Sequence, residues 1–138
     1  RNVEQQVMPI DQQGWPLTRI LELAKQANNA RFKFDVQGFL DVDAPMIMRY
    51  TKGGHYDWHV DTGNSVCHRK LSFTIQLSED KDYVGGDVEF IGSKVDTKAF
   101  RQKGVCIIYP SFLPHRVSKV TKGTRHAIVG WIHGPTFK

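Results

Sequence analysis

A histidine and an aspartate separated by one residue, His59 and Asp61, form the first group in the sequence that could bind a metal ion. Residues two apart on a β-strand project from the same face, so an imidazole and a carboxylate at this spacing can converge on one cation. The pair alone is weak evidence, because a His-x-Asp sequence often arises by chance. The alternative interpretation is a surface histidine beside an aspartate in a turn.

A second histidine, His115, strengthens the metal hypothesis. It follows the proline-bounded segment Pro110–Pro114 and precedes a predicted strand, so we expect rigid backbone to hold its ring in place. Two imidazoles and one carboxylate make up the facial triad of non-haem Fe(II) oxygenases, which leaves coordination positions open. A structural zinc site would instead be closed by four ligands, usually rich in cysteine. The sequence offers no obvious fourth ligand and therefore predicts an open metal centre at His59, Asp61 and His115.

Arg125, ten residues after His115, is the third residue that could take part in chemistry. By strand alternation it shares one face with Ala127, Val129 and Trp131, and a guanidinium on a mostly apolar face requires an anion. A carboxylate matches its bidentate geometry, which predicts a carboxylate ligand near Arg125. Two alternatives stay open: Arg125 could reach solvent from the start of the strand, and Trp131 could either line the pocket or pack in the core.

These residues require a scaffold, and the rest of the sequence predicts one made of short strands. Apolar residues recur at helical spacing from Pro16 to Asn29, which predicts one amphipathic helix. Strict alternation over Leu71–Leu77 predicts a strand with an apolar and a polar face. The other predicted strands are Met46–Tyr50, His55–Val60, Asp87–Ile91, Val105–Tyr109, Arg116–Val120 and Arg125–His133, with turns at Lys52–Gly54 and Lys122–Gly123. This pattern predicts an all-β core with a covering N-terminal helix, arranged as a β-sandwich or jelly roll.

Four motifs together carry a family resemblance. The first, Arg49–Asp61, contains the His-x-Asp pair, and the others are Gly85–Asp87, Pro110–Val117 and Thr124–Ala127. In this order they resemble the prolyl-4-hydroxylase branch of the Fe(II)/2-oxoglutarate-dependent dioxygenases, in particular its bacterial and phage members. The resemblance covers about Pro45–His133. Each motif is weakly specific, whereas the combination is highly specific.

The resemblance implies roles for individual residues. In the family, the His-x-Asp pair and the distal histidine bind iron, which assigns that role to His59, Asp61 and His115. The basic residue ten positions later, here Arg125, pairs with the distal carboxylate of 2-oxoglutarate. A tyrosine at the position of Tyr50 commonly hydrogen-bonds the same carboxylate. The collagen-modifying members have lysine where this chain has Arg125.

The family fold is a double-stranded β-helix, which agrees with the predicted strands. In that fold the polar face of Leu71–Leu77, formed by Ser72, Thr74 and Gln76, would line the ligand cavity, and the apolar face would pack outward. The family residues that match Thr74 and Gln76 point at the co-substrate. A tyrosine often stands at the position of Gln76, so this residue departs from the family pattern.

The resemblance also implies a reaction. Fe(II), 2-oxoglutarate and O₂ are the expected cofactors, with ascorbate as an accompanying reductant, and succinate and CO₂ are released as a substrate is hydroxylated. The expected substrate is a prolyl or other peptidyl or amino-acid side chain, in a protein, a peptide or a small molecule.

Two alternative functions remain. One is the same chemistry on nucleic-acid bases, for which no aromatic stacking platform is evident. The other is a non-catalytic cupin-like metal-binding module, which would have no need of Arg125 beside an intact triad.

Composition favours one ordinary domain over residues 1–138, with 40% hydrophobic and 24% charged residues. The net charge of +5 comes from scattered cations without the blocks typical of nucleic-acid binding, so a solvated surface is preferred. No apolar run suits a membrane span and no signal peptide is visible, although the chain opens at Arg1 rather than at methionine. Cys67 and Cys106 show no sign of a disulfide, which fits a cytoplasmic protein. The sequence does not predict an oligomeric state.

Other conspicuous residues are not assigned to the site. Four histidines are left out: His55, His68, His126 and His133. The first two lie in turn-like segments that predict solvent exposure, and His126 must face away from the side of Arg125. Trp58 should point away from the metal and pack in the core. The loop Thr62–Arg69 is rich in small polar residues, which predicts a mobile recognition segment that borders the metal.

Overall fold

The computed structural model describes residues 1–8, 14–40, 43–63, 66–92 and 97–137. Within these ranges one α-helix, α1 (Gly14–Ala27), accompanies ten strands. The strands are β1 (Glu4–Val7), β2 (Met46–Tyr50), β3 (Tyr56–His59), β4 (Arg69–Gln76), β5 (Tyr83–Gly85), β6 (Val88–Phe90), β7 (Cys106–Pro110), β8 (His115–Val117), β9 (Val120–Gly123) and β10 (Arg125–His133). Short 3₁₀ turns cover Asp80–Asp82 and Thr97–Arg101.

Two antiparallel sheets form the body of the fold. The larger sheet has the strand order β1-β2-β10-β4-β7, the smaller has the order β3-β8-β6, and β5 pairs with β9. The helix covers one face of the larger sheet, and the other face packs towards the smaller sheet. The prediction of a jelly-roll core with a covering N-terminal helix is confirmed. In the part of the chain that the structure describes, no helix has the length and apolar character needed to cross a membrane.

The helix packs through the apolar stripe that its sequence predicts. Three helical residues and three strand residues form one buried cluster: Leu17, Ile20, Ala24, Leu71, Phe73 and Ile132. The helix begins two residues before the predicted start and ends at Ala27. It continues as a π-helical turn, Asn28–Phe32, and the buried Asn28 side chain bonds both the N–H and the carbonyl of Phe34, each at 2.7 Å.

The opposite face of the larger sheet meets the smaller sheet through a second buried cluster. Its members come from five strands: Met48, Tyr50, Tyr83, Val88, Val117 and Val120. Alternation along β4 explains why one sheet can serve both clusters, because Leu71 and Phe73 face the helix while Ser72 and Thr74 face the other way. The apolar face of β4 therefore packs outward, as predicted.

The predicted single strand Arg116–Val120 is wrong. The chain instead leaves β8 at Val117 and begins β9 at Val120, and the two strands pair with different partners. Between them Ser118 donates its N–H to the Asp87 carbonyl at 2.9 Å, which ties down the crossover. The predicted Lys122–Gly123 turn lies at the end of β9. The sequence gives no signal for β1, because all four of its residues are exposed on an edge strand.

Gly130 provides a test of packing between the sheet and the segment before β2. A Cβ added there would lie 2.5 Å from Phe73 Cζ and 3.1 Å from Pro45 Cβ, and both neighbours are fully buried. We expect Gly130→Ala to lower the free energy of unfolding by about 1–3 kcal/mol, as overpacking does in close-packed cores. Urea denaturation measures this change. Gly63→Ala, where an added Cβ meets nothing within 4 Å, is the control. An equal effect of the two substitutions would contradict the packing argument.

Candidate metal centre

The smaller sheet brings the two histidines of the predicted triad together. His59 at the end of β3 and His115 at the start of β8 are direct cross-strand partners, and their ring centroids are 4.2 Å apart. Asp61 follows β3 by two residues, and its Oδ1 atom lies 3.4 Å from Nε2 of each histidine. All three ligand atoms lie within 4.8 Å of one another. This spacing is short enough for one ion to contact all three.

Backbone carbonyls fix which nitrogen each histidine presents. The Nδ1 atom of His59 lies 2.6 Å from the Asp57 carbonyl oxygen, and the Nδ1 atom of His115 lies 2.9 Å from that of Leu113. A carbonyl only accepts, so each Nδ1 carries the proton and donates it. In the neutral form of each ring, Nε2 is then the nitrogen with the free lone pair, and it lies 3.4 Å from Asp61 Oδ1. Hydrogen bonds of this kind are the usual way to orient metal-binding imidazoles.

Two buried serines fix Asp61, one through its carboxylate and one through its backbone. Ser72 donates its hydroxyl to Oδ2 at 2.6 Å, and the Ser72 and Ser111 hydroxyls are 3.0 Å apart. The backbone N–H of Asp61 also donates to the Ser111 carbonyl at 2.9 Å. Because these bonds engage Oδ2 and the backbone, Oδ1 is the oxygen left facing the histidines.

The environment of Asp61 and of His115 favours the protonation states that bind metals. Burial by itself raises the pKa of Asp61, but the neighbouring His59, His115 and Ser72 outweigh it, and the net shift of the pKa is downward. Burial lowers the pKa of His115, which favours the neutral ring. An ionised carboxylate and neutral imidazoles are the forms that coordinate cations.

Aromatic rings enclose the two histidines. Tyr56 stacks on His59 at 3.8 Å between centroids, and Phe90 and Tyr109 contact His115 at 5.9 and 4.8 Å. Tyr56 lies three residues before His59, so strict alternation would place them on opposite faces. An irregularity in the β3–β8 register between them brings both rings to one side. The sequence analysis missed Tyr56 for this reason.

The serine that holds Asp61 gives a prediction for metal affinity. We expect Ser72→Ala to weaken divalent-metal binding by about tenfold to a hundredfold, because partners of metal ligands typically contribute that much. Titration with Co(II), followed by absorbance, measures the affinity. Ser78→Ala is the control, since Ser78 is equally buried but bonds the backbone N–H of His126 instead. Equal affinities for Ser72→Ala and the unsubstituted protein would show that Ser72 does not orient the carboxylate.

The larger sheet supplies the residues predicted to bind the co-substrate. Arg125 and Tyr50 are direct cross-strand partners, so both project from the inner face, and the guanidinium lies 5.4 Å from the tyrosine ring centroid. Both residues are buried, at 3% and 2% exposure. Burial raises the pKa of Tyr50 to about 12, so its hydroxyl stays a hydrogen-bond donor. Among the residues that the structure describes, no carboxylate forms an ion pair with Arg125.

A cavity of about 280 Å³ lies between the sheets and joins the two groups of residues. Its lining includes the three residues of the triad together with Tyr50, Thr74, Arg125 and Trp131. Much of the remaining lining is apolar: Met46, Met48, Val60, Val66, Val88, Val117 and Val129. Of the described residues that line it, Asp61 alone is acidic, whereas three are arginines. The cavity therefore suits an anion.

The three polar residues of β4 do not all line the cavity, contrary to the prediction. Thr74 lines the cavity as expected, but Ser72 and Gln76 do not. Ser72 bonds Asp61, and Gln76 accepts a hydrogen bond from Arg125 Nε at 3.2 Å while donating to the Tyr83 hydroxyl at 2.8 Å. These two positions lie behind residues that line the cavity, so their side chains orient those residues instead.

Several expectations about neighbouring residues need correction. Trp58 is not in the core: it is 47% exposed and packs against the Arg116 guanidinium at 5.1 Å. His55 is half-buried rather than exposed, because its segment pairs with Asn2, whereas His68 is exposed as predicted. His133 is buried at 3% exposure and bonds Asp43.

The predicted recognition loop Thr62–Arg69 is only partly described. Residues 64–65 lie outside the described residues, so the expected mobility remains a prediction. Val66 lines the cavity, which places this part of the segment beside the metal centre. Arg69 also lines the cavity but belongs to β4 rather than to the loop. Both cysteines are free, as predicted.

The donor set fits a particular kind of metal centre. Two imidazoles and one carboxylate, with no further histidine, cysteine, aspartate or glutamate in the cluster among the described residues, match the open facial triad of non-haem iron sites. The buried, carboxylate-free guanidinium of Arg125 and the neutral hydroxyl of Tyr50 provide donors suited to a carboxylate. The residues present therefore fit both Fe(II) and a dicarboxylic acid.

Comparison with known sequences agrees with this chemistry. Residues 45–133 match the family model of the 2OG-Fe(II) oxygenase superfamily. A PKHD-type hydroxylase of Gloeothece citriformis is 35% identical over 121 residues, which are 83% of this chain and 54% of that protein. A PKHD-type hydroxylase of Synechococcus sp. strain CC9311 is 41% identical over 88 residues, or 63% of this chain and 40% of that protein. The chain thus spans about half the length of these relatives.

Comparison with solved structures identifies the same fold. A prolyl-4-hydroxylase of Pseudomonas putida aligns with a TM-score of 0.69 and 19% identity, covering 96% of this chain and 71% of that one. A Trichoplax adhaerens prolyl hydroxylase, in complex with a peptide fragment of hypoxia inducible factor, aligns with a TM-score of 0.74 and 19% identity, covering 96% and 63%. A viral collagen prolyl hydroxylase from Paramecium bursaria Chlorella virus-1, in complex with 2-oxoglutarate, gives 0.70 and 18%, covering 99% and 82%.

Proposed function

The chain belongs to the 2OG-Fe(II) oxygenase superfamily, and from that premise we propose that it is an Fe(II)- and 2-oxoglutarate-dependent dioxygenase that hydroxylates a peptidyl or amino-acid side chain. The observation that carries the proposal is one cavity with two ends. The triad of His59, Asp61 and His115 opens into it on one side, and the buried Arg125 lines it from the facing sheet.

The triad holds the metal in this proposal. Each histidine contributes Nε2 and Asp61 contributes Oδ1, because Nδ1 of each ring and Oδ2 of the carboxylate already form hydrogen bonds within the protein. Arg125 and Tyr50 bind the distal carboxylate of 2-oxoglutarate, Gln76 orients the guanidinium, and Thr74 lines the same cavity. When bound, iron and 2-oxoglutarate supply oxidative decarboxylation to succinate and CO₂, coupled to insertion of one oxygen atom into a C–H bond. The protein orients these groups and excludes water.

The apolar lining accounts for the proposed substrate class. Valines and methionines from both sheets surround the space beside the triad, and they favour an aliphatic carbon over a charged group. Such walls also exclude water from the site of oxidation. Relatives are named as PKHD-type hydroxylases, and one structural neighbour is described in complex with a peptide fragment. These descriptions support a peptidyl or amino-acid substrate for this chain.

A turnover screen tests the proposed function. Succinate release is measured with Fe(II), 2-oxoglutarate and O₂ against proline-containing peptides, other peptides, free amino acids and oligonucleotides. We expect stimulation by a peptide or an amino acid and a matching mass increase of 16 Da in that substrate, which is one oxygen atom. Stimulation by oligonucleotides alone would reassign the substrate to nucleic-acid bases. No succinate with any class would favour a non-catalytic metal-binding module. Parallel reactions with and without ascorbate test the expected need for a reductant.

A further inference from the structure

A partly buried ion-pair cluster lies beside the metal centre and is not explained by the proposed reaction. Arg69 donates two hydrogen bonds to the Asp43 carboxylate, from Nε at 2.7 Å and from Nη2 at 2.6 Å. His133 Nε2 contacts the same carboxylate at 2.7 Å. The three side chains are 16%, 20% and 4% exposed, in that order. The Asp43 carboxylate is therefore bonded by Arg69 and by His133.

The cluster joins three distant parts of the chain. Asp43 precedes β2, Arg69 begins β4, and His133 ends β10. His133 is itself anchored, because its Nδ1 lies 3.3 Å from the Gly38 carbonyl and its backbone pairs with Gly38. Burial disfavours the ionised form of Asp43, but the bonds from Arg69 and His133 outweigh it and lower its pKa to about 2. The carboxylate is thus ionised, and its place is fixed by both partners.

Arg69 connects Asp43 to residues of the cavity. Its Nη1 donates to the backbone carbonyl of Asp61 at 3.2 Å. Its guanidinium carbon lies 3.5 Å from the ring centroid of Trp131, and both residues line the cavity. The Asp61 main chain is consequently held on its carbonyl side by Arg69 and on its N–H side by Ser111. Displacement of Arg69 would release one of these two restraints.

A second cluster, centred on Arg101, has similar ion pairs but, among the described residues, no contact with the metal centre. Arg101 bonds Asp80 and also donates to Asp87 at 2.9 Å, and its guanidinium packs on the Tyr83 ring at 4.0 Å. It resembles the Arg69 cluster in chemistry, with a partly buried arginine between a carboxylate and an aromatic ring. None of its members lines the cavity or contacts the triad among the described contacts. It therefore serves as a matched reference.

We propose that Asp43, held by His133, is a positioning residue for the metal centre, which acts by fixing Arg69 against the Asp61 carbonyl and the Trp131 ring. The proposal rests on the metal-binding role proposed for Asp61. Asparagine at position 43 keeps the shape of the side chain but cannot accept two charge-assisted bonds from Arg69 and one from His133. Arg69 then loses its fixed orientation, and Asp61 loses a restraint on its backbone.

Co(II) binding to the intact chain tests the proposal without turnover. Co(II) is titrated in the absence of O₂, and its absorption spectrum reports both affinity and ligand geometry. We expect Asp43→Asn to weaken Co(II) binding about tenfold and to alter the spectrum, in line with other supports of metal ligands. Arg69→Lys should act in the same direction, because one ammonium cannot span both the Asp43 carboxylate and the Asp61 carbonyl. It also provides a second variant should Asp43→Asn fail to fold.

Asp87→Asn is the control, because it breaks an arginine–aspartate pair of the reference cluster. Its thermal stability should fall, while its Co(II) affinity and spectrum should match those of the unsubstituted protein. Unchanged Co(II) binding in both Asp43→Asn and Arg69→Lys would overturn the positioning role and leave the proposed function standing. Equal weakening by Asp87→Asn would also overturn it, since the effect would then follow stability alone. Absence of Co(II) binding in the unsubstituted protein would instead refute the proposed metal centre.

Discussion

Replacing His115 with alanine should abolish metal binding and iron-dependent succinate formation. His115 is 5% exposed and presents Nε2 to Asp61 Oδ1, so its removal leaves two protein ligands where the geometry provides three. Loss of a partner that merely orients a ligand typically weakens metal binding by about tenfold to a hundredfold, and loss of the ligand itself should exceed that range. His59→Ala should behave in the same way. Co(II) titration and succinate release measure the two effects.

The stability of the histidine variants separates loss of a ligand from loss of the fold. Both rings border the cavity, so alanine should destabilise the protein less than a deletion in the closely packed cluster around Phe73. His126→Ala is the matched control: His126 lies beside Arg125 on β10 but does not line the cavity. Turnover retained in His115→Ala or His59→Ala would place the metal elsewhere.

Arg125→Ala should raise the KM for 2-oxoglutarate about a hundredfold or more at saturating iron. Arg125 is 3% exposed, and removal of its guanidinium would leave the distal carboxylate of the co-substrate buried without a cationic partner. Such a change costs about 3 kcal/mol or more, which corresponds to a factor of about 100 or more in affinity. Arg125→Lys keeps the charge but loses the bidentate geometry, so its effect should be smaller, about tenfold.

Arg49→Ala is the control for the Arg125 variants. Arg49 lies next to Tyr50 on β2, but it is exposed and pairs with Glu4 at 2.9 Å. Its removal should leave the KM for 2-oxoglutarate unchanged. An unchanged KM in Arg125→Ala would show that this residue does not bind the co-substrate. The proposed chemistry would then rest on the triad alone.

Local periodicity was enough to group residues that share one face of a strand, but it left open whether Trp131 lines the pocket or packs in the core. Alternation places Arg125 and Trp131 on one face of β10, and the structure brings both to the cavity lining. The His-x-Asp spacing likewise puts His59 and Asp61 on one side. These residues obey a two-residue period, so no tertiary information was needed to group them.

The remaining features depend on contacts between distant segments or on departures from regularity. Tyr56 reaches His59 through a register irregularity that alternation cannot anticipate. Trp58 was predicted to pack in the core because it points away from the metal, yet its side chain is largely exposed in the described structure. Asp43 and Arg69 meet across 26 positions of sequence, and no local pattern links them. Sequence periodicity specifies which face a residue occupies, but not what lies opposite it.

The central claim is that one iron and one 2-oxoglutarate share the cavity between the two sheets. The most direct test is anomalous diffraction at the iron absorption edge, with crystals grown without O₂ in the presence of Fe(II) and 2-oxoglutarate. We predict one strong peak in contact with His59, Asp61 and His115, and dicarboxylate density that extends from it to Arg125. A peak at any other position, or a dicarboxylate that does not reach Arg125, would contradict the claim.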